Sequence, residues 1–115
     1  MKQGWGNAMR STETLDRARL VETFKALADE TRLKILEALK RCNCCSCAAV
    51  PPDEPGMCVC DVVGVVKLSQ PTVSHHLAIL ERARLIQSKK IGRWVYYRRN
   101  ESFIEQLCTE LKALL

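Results

Sequence analysis

Six of the chain's seven cysteines crowd into residues 42–60, as "CNCCSC" at 42–47 and as the pair Cys58 and Cys60 in "CVC". An odd total, with six thiols packed into so short a stretch, does not suit a disulfide framework. In a reducing compartment such thiols bind soft metals or sense oxidants. A dozen residues later, "SQPTVSHH" (69–76) sets small polar side chains and two histidines among apolar positions. These residue types hydrogen-bond to base edges and phosphates.

The elements that must position these groups follow from capping and periodicity. Residues 1–12 contain Gly4 and Gly6, show no periodicity, and are expected to form a mobile arm. One domain is expected over 13–115. From about Leu15 to Ala28, Val21, Phe24 and Ala28 repeat at helical spacing, with Leu20 and Leu27 on a second face. Asp29 suits the N-cap of a second helix, in which Leu33, Leu36 and Leu39 recur to about Arg41. Prolines and Gly56 make 42–57 a long cysteine-rich loop, a length more often functional than idle. A short helix follows from Val59 to Lys67 with Val62, Val63 and Val66 inward. Ser69 then caps a helix running to about Leu85, with Pro71 in its first turn and Val73, Leu77 and Leu80 facing the core. Two short helices joined by a tight turn form a helix-turn-helix, whose second helix reads DNA.

"LIQSKKIGRWVYYRRN" (85–100) reads as a hairpin turning at Gly92. It carries Lys89, Lys90, Arg93, Arg98 and Arg99, much of the basic excess behind the net charge of +5. A solvated surface would give the same net charge, and charged hairpins also protect edge strands. A basic cluster on one element beside a reading helix instead fits a wing contacting phosphates. A last helix from Glu101 lines up Ile104, Leu107, Cys108, Leu111 and Leu115, and Cys108 is read there as a small hydrophobe. The expected fold is therefore α+β: a mainly helical winged helix-turn-helix with one β-hairpin. On the start of the reading helix, Gln70, Thr72, Ser74 and His75 face outward. Gln70 suits a bidentate contact to adenine, whereas His76, beside the Val73/Leu77 stripe, reads as half-buried packing. Lys89, Lys90 and Arg98 suit phosphates, and Arg93 a minor groove.

Hydrophobic and charged fractions of 47% and 27% belong to a globular chain, with no apolar run long enough to span a bilayer. Without a signal-like apolar N-terminus, the expected location is cytoplasmic. An enzyme, such as a thiol-dependent arsenate reductase, would need an anion loop opening a helix, and none is evident.

"FKALADETRLKILEAL", "CVCDVV", "SQPTVSHHLAILERARLI" and "GRWVYYR" resemble the ArsR/SmtB family of winged-helix metalloregulators, the arsenic-type repressors in particular. The resemblance covers about residues 15–100. It implies a homodimer, joined through its first and last helices, that binds an inverted-repeat operator and leaves it when metal binds. It further implies an As(III) or Sb(III) site of three thiols in the pattern CVC-D-x-x-C. Here Cys58 and Cys60 match, but the third position is Val63.

The missing sulfur must come from elsewhere. Cys44, Cys45 or Cys47 on the loop are favoured over Cys42, because closing a short flexible link costs little entropy. A loop thiol of the other subunit is a further route. Cadmium and lead sensors of the family use cysteines in a partner's N-terminal arm, and this arm has none. A four-thiolate Cd(II), Pb(II) or Zn(II) site, or a redox-responsive repressor of the same fold, are the alternatives. The family's zinc site of Asp/His pairs on the last helix is absent, since that helix offers Glu101, Glu105 and Glu110 without histidine. Asp61 is read as a helix-terminal charge with no ligand role.

Overall fold

A computed structural model of the chain describes residues 15–41 and 56–115. The expected arm (1–12) and most of the cysteine loop, including Cys42, Cys44, Cys45 and Cys47, lie outside the described residues. The order is α1 (Arg17–Leu27), α2 (Glu30–Arg41), β1 (Met57–Cys58), α3 (Val59–Val66), α4 (Gln70–Arg82), β2 (Ile86–Ile91), β3 (Trp94–Arg99) and α5 (Glu101–Leu114). Helices pack around one core, and a three-stranded antiparallel sheet ordered β1-β3-β2 lies at its side.

The helices begin where side chains can satisfy their first N–H groups. Asp16 accepts from the Arg19 N–H at 2.8 Å and Asp29 from the Arg32 N–H at 3.1 Å. The buried stripe of α1 is Leu20, Thr23 and Ala26, while Val21 is 45% exposed. Of the two expected apolar faces, the one with Leu20 and Leu27 turns inward, joined by Thr23, and Phe24 also packs against the core. Thr23 can be buried because its hydroxyl donates to the Arg19 carbonyl at 2.8 Å, which removes the cost of an unpaired polar group. In α2, Ile35 and Leu39 point inward and Leu33 is 51% exposed. Apolar residues at 33, 35, 36 and 39 span too much of the circumference for spacing alone to pick the face. Leu33 instead borders an open groove of about 590 Å³ with Leu27, Leu36, Leu85, Ile104 and Leu107.

Between α3 and α4 the chain turns on Lys67, which takes the left-handed conformation at φ 59°. α4 stops at Arg82 rather than near Leu85. Arg84 is left-handed at φ 68°, and the Leu85 N–H reaches back to the Leu80 carbonyl at 3.0 Å. That backbone closure usually recruits glycine, so nothing in the local composition announced it. The hairpin turns where Gly92 takes φ +63°, as its position in the sequence suggested. The segment expected to be loop through residue 57 ends in strand, with Met57 2% exposed and paired with Tyr97.

Asn100 joins the wing to α5 and is 2% exposed. Its Oδ1 accepts from the Phe103 N–H at 3.3 Å, and its Nδ2 donates to the Arg84 carbonyl at 3.1 Å. Asn100→Ala removes a cap and the bond to the part-buried Arg84 carbonyl, and should destabilise the fold by about 1–3 kcal/mol. Urea unfolding should show a lower midpoint at unchanged slope. On α5, Phe103 and Leu107 are buried, but Cys108 is exposed and Leu115 is 94% exposed. The expected stripe is thus only half used within one chain.

Candidate nucleic-acid interface and thiol site

The start of α4 is set by local chemistry. Ser69 Oγ accepts from the Thr72 N–H at 3.4 Å, and Pro71 occupies the first turn, where no N–H is needed. With Val73, Leu77 and Leu80 fully buried, Gln70, Thr72, Ser74 and His75 are all exposed. Thr72 also accepts from the Ser69 hydroxyl at 2.9 Å, so part of its hydrogen-bonding capacity is used in the cap.

His76 is half-buried, as expected, and is a polar anchor as well as packing. Arg32 Nη1 lies 3.1 Å from His76 Nδ1, and an Asp29 carboxylate oxygen lies 4.0 Å from the same nitrogen. The Arg32 N–H bonded to Asp29, together with the Arg32 charge, holds the Asp29 carboxyl below the usual carboxylate range. A lowered folded-state pKa stabilises the fold at pH values above the ordinary carboxylate value, and that contribution disappears as pH falls through the lowered one. Sequence periodicity missed this link because its partners are 44 residues apart. The "DETR" run, an N-cap followed by a cation, was the available signal.

The wing presents Lys90 and Arg93 exposed and Lys89 half-buried. Arg93 sits over the Trp94 ring at 5.5 Å, which stiffens it at the turn. Arg98, expected to meet phosphates, donates from Nε to Gln87 at 3.2 Å within the sheet. The wing is tied to α4 by Ser88, whose hydroxyl donates to Glu81 at 2.6 Å. Beside it, burial and the Glu81 charge push the Tyr97 phenol upward, so Tyr97 stays neutral.

Cys58 is at the N-cap of α3, 1% exposed, outside any disulfide, and 3.5 Å from Asp61 Oδ2, to which its thiol donates. Cys60 is exposed and disulfide-bonded. One ligand atom from each of Cys58, Cys60 and Asp61 lies within 4.8 Å of the others. Thus Asp61, expected only as a helix charge, has its carboxylate among the thiols. Val63, at the resemblance's third thiol position, packs against the core. Cys58 also pairs with Tyr96 across β1 and β3, which places the thiol cluster against the wing's own sheet.

Residues 53–88 match the model for the bacterial regulatory protein, arsR family. Over 95 residues the chain is 38% identical to the uncharacterized HTH-type transcriptional regulator YbzH of Bacillus subtilis, covering 81% of this chain and 95% of that one. The chain belongs to the ArsR family. It is 38% identical over 78 residues to the arsenical resistance operon repressor of Escherichia coli, covering 68% of this chain and 56% of that one. An ArsR-like transcriptional regulator from Rhodococcus sp. RHA1 superimposes with a TM-score of 0.67 at 26% identity, covering 84% of this chain and 79% of that one. Membership makes this ArsR-family chain a DNA-binding transcriptional regulator of helix-turn-helix type and places it apart from enzymes. No helix among the described residues is long and apolar enough to cross a membrane.

Proposed function

We propose that the chain is a cytoplasmic repressor that binds operator DNA as a homodimer and dissociates when As(III) or Sb(III) binds its thiolates. Cys58 and Cys60 would hold the effector, with a third sulfur from Cys44, Cys45 or Cys47. Gln70, Thr72, Ser74 and His75 would meet base edges, and Lys89, Lys90 and Arg93 the backbone. The observation that carries this reading is the placement of Cys58. Its sulfur lies within 4.8 Å of that of Cys60 at the start of α3, and its backbone pairs with β3 of the wing. A ligand drawing on this thiol acts on both parts of the DNA-reading surface. A coupling of about 1–3 kcal/mol would change operator affinity roughly 5- to 150-fold. Soft As(III) favours thiolates, and the match to an arsenical resistance operon repressor agrees with that choice. The half-used face of α5, with Cys108, Leu111 and Leu115 around an open apolar recess, and exposed Val21 on α1 support a second copy as partner.

Two observations favour other effectors of the same site. The Asp61 carboxylate beside two sulfurs suits borderline Cd(II), Pb(II) or Zn(II). The Cys60 disulfide suits a redox-responsive repressor. One titration separates them, using a fluorescent duplex selected from a random pool by the chain itself. With reduced protein bound, micromolar arsenite should lower the anisotropy to that of the naked duplex. Release by Cd(II) or Pb(II) but not arsenite would transfer the site to divalent ions. Release by peroxide, with arsenite inert under reducing conditions, would establish the redox reading instead.

A further inference from the structure

We infer that Arg32 is a positioning residue for DNA reading, anchoring the recognition helix α4 through His76. The inference rests on α4 being the DNA-reading helix. The Arg32 guanidinium is held from behind: Nε donates to the Ala26 carbonyl at 2.6 Å and Nη2 to the Lys25 carbonyl at 3.4 Å. Both carbonyls belong to the last turn of α1, the negative end of that helix, where a cation is favoured. Its own N–H is bonded to Asp29. The remaining arm, Nη1, reaches His76 Nδ1 at 3.1 Å. Arginine only donates, so Nδ1 must accept and the ring proton sits on Nε2. A planar fork fixed at two carbonyls leaves its third contact little freedom, which is a property lysine lacks.

The consequence lies on the adjoining face of α4. The His76 side chain is 15% exposed, while its neighbour His75 is exposed on the reading face, with ring centroids 5.9 Å apart. Rotation of α4 about its axis is resisted by apolar packing, which is non-directional, and by the Arg32–His76 bond, which is directional. Loss of that bond leaves a folded helix whose polar face is less sharply aimed. Base contacts need that aim, whereas phosphate contacts from the wing do not.

The experiment compares affinity for the selected duplex with affinity for a scrambled one in the full-length chain. It uses His76→Leu, His76→Asn, Arg32→Lys and the double variant His76→Leu/Arg32→Lys, with folding checked by circular dichroism. His76→Leu should lower the preference about ten-fold, with scrambled-duplex affinity within about two-fold of wild type. His76→Asn, whose Oδ1 replaces the Nδ1 acceptor, should restore the preference to within about three-fold of wild type. The double variant should be no worse than His76→Leu alone. A preference unchanged by His76→Leu, or an Asn variant no better than Leu, overturns the inference. Should His76→Leu fail to fold, Arg32→Lys decides alone: lost preference supports the role and wild-type preference refutes it. If the wild-type chain selects no duplex, DNA reading by α4 fails and the positioning role falls with it. Indifferent variants of a selecting wild type remove the positioning role only.

Discussion

Cys58→Ser and Cys60→Ser should each keep duplex affinity within about two-fold of wild type and abolish release by arsenite. A buried thiol changed to hydroxyl at residue 58 keeps nearly the same shape, and residue 60 is exposed, so neither change disturbs the face of α4. Serine is a poor ligand for a soft metalloid, so the effector loses a bond it cannot replace. The whole coupling, about 1–3 kcal/mol by the usual range, then disappears in a single substitution. Removing Cys44, Cys45 and Cys47 together should leave a weak two-thiol site, whereas removing one should matter little because a neighbour substitutes. Anisotropy titrations with arsenite read all of these directly. Wild-type sensitivity in the triple variant would move the third sulfur to Cys42 or Cys108, or reduce the site to two thiols.

The double variant Gln70→Ala/His75→Ala should lose about 100-fold in affinity for the selected duplex, from two base contacts at about 1–3 kcal/mol each. Both side chains are exposed at the start of α4, so the fold should be untouched and random-duplex affinity nearly constant. Arg93→Ala should behave differently, weakening both duplexes alike and reducing the salt slope by about one. Retained preference in the double variant would remove Gln70 and His75 from the readout.

What the amino-acid pattern revealed and what it concealed divide by range. The α4 start is governed by Ser69, Thr72 and Pro71, all within one turn, and its buried side repeats regularly. The wing turn depends on Gly92 alone. By contrast β1 exists because β3, some forty residues later, offers a pairing edge at Tyr96 and Tyr97. Two residues carry too little propensity to announce a strand. On α1 the pattern showed two apolar faces but not that a threonine joins the core through a bond to the Arg19 carbonyl. In the thiol site, Cys58 and Cys60 stood out by type and spacing. The role of Asp61 needed the turn of α3 that brings its carboxylate to 3.5 Å from a sulfur.

The pairing of Cys58 with Tyr96 has a bearing on how the sensor proposed above could change its effectors over generations. Position 58 answers to two demands at once, because its side chain must fit a closed core and its backbone must complete a sheet. Position 60 is open to solvent and Val63 is only partly enclosed, so donors there can be exchanged without reshaping the DNA-reading domain. Mutational drift in ligand preference should therefore accumulate around residue 58 and leave the residue itself in place.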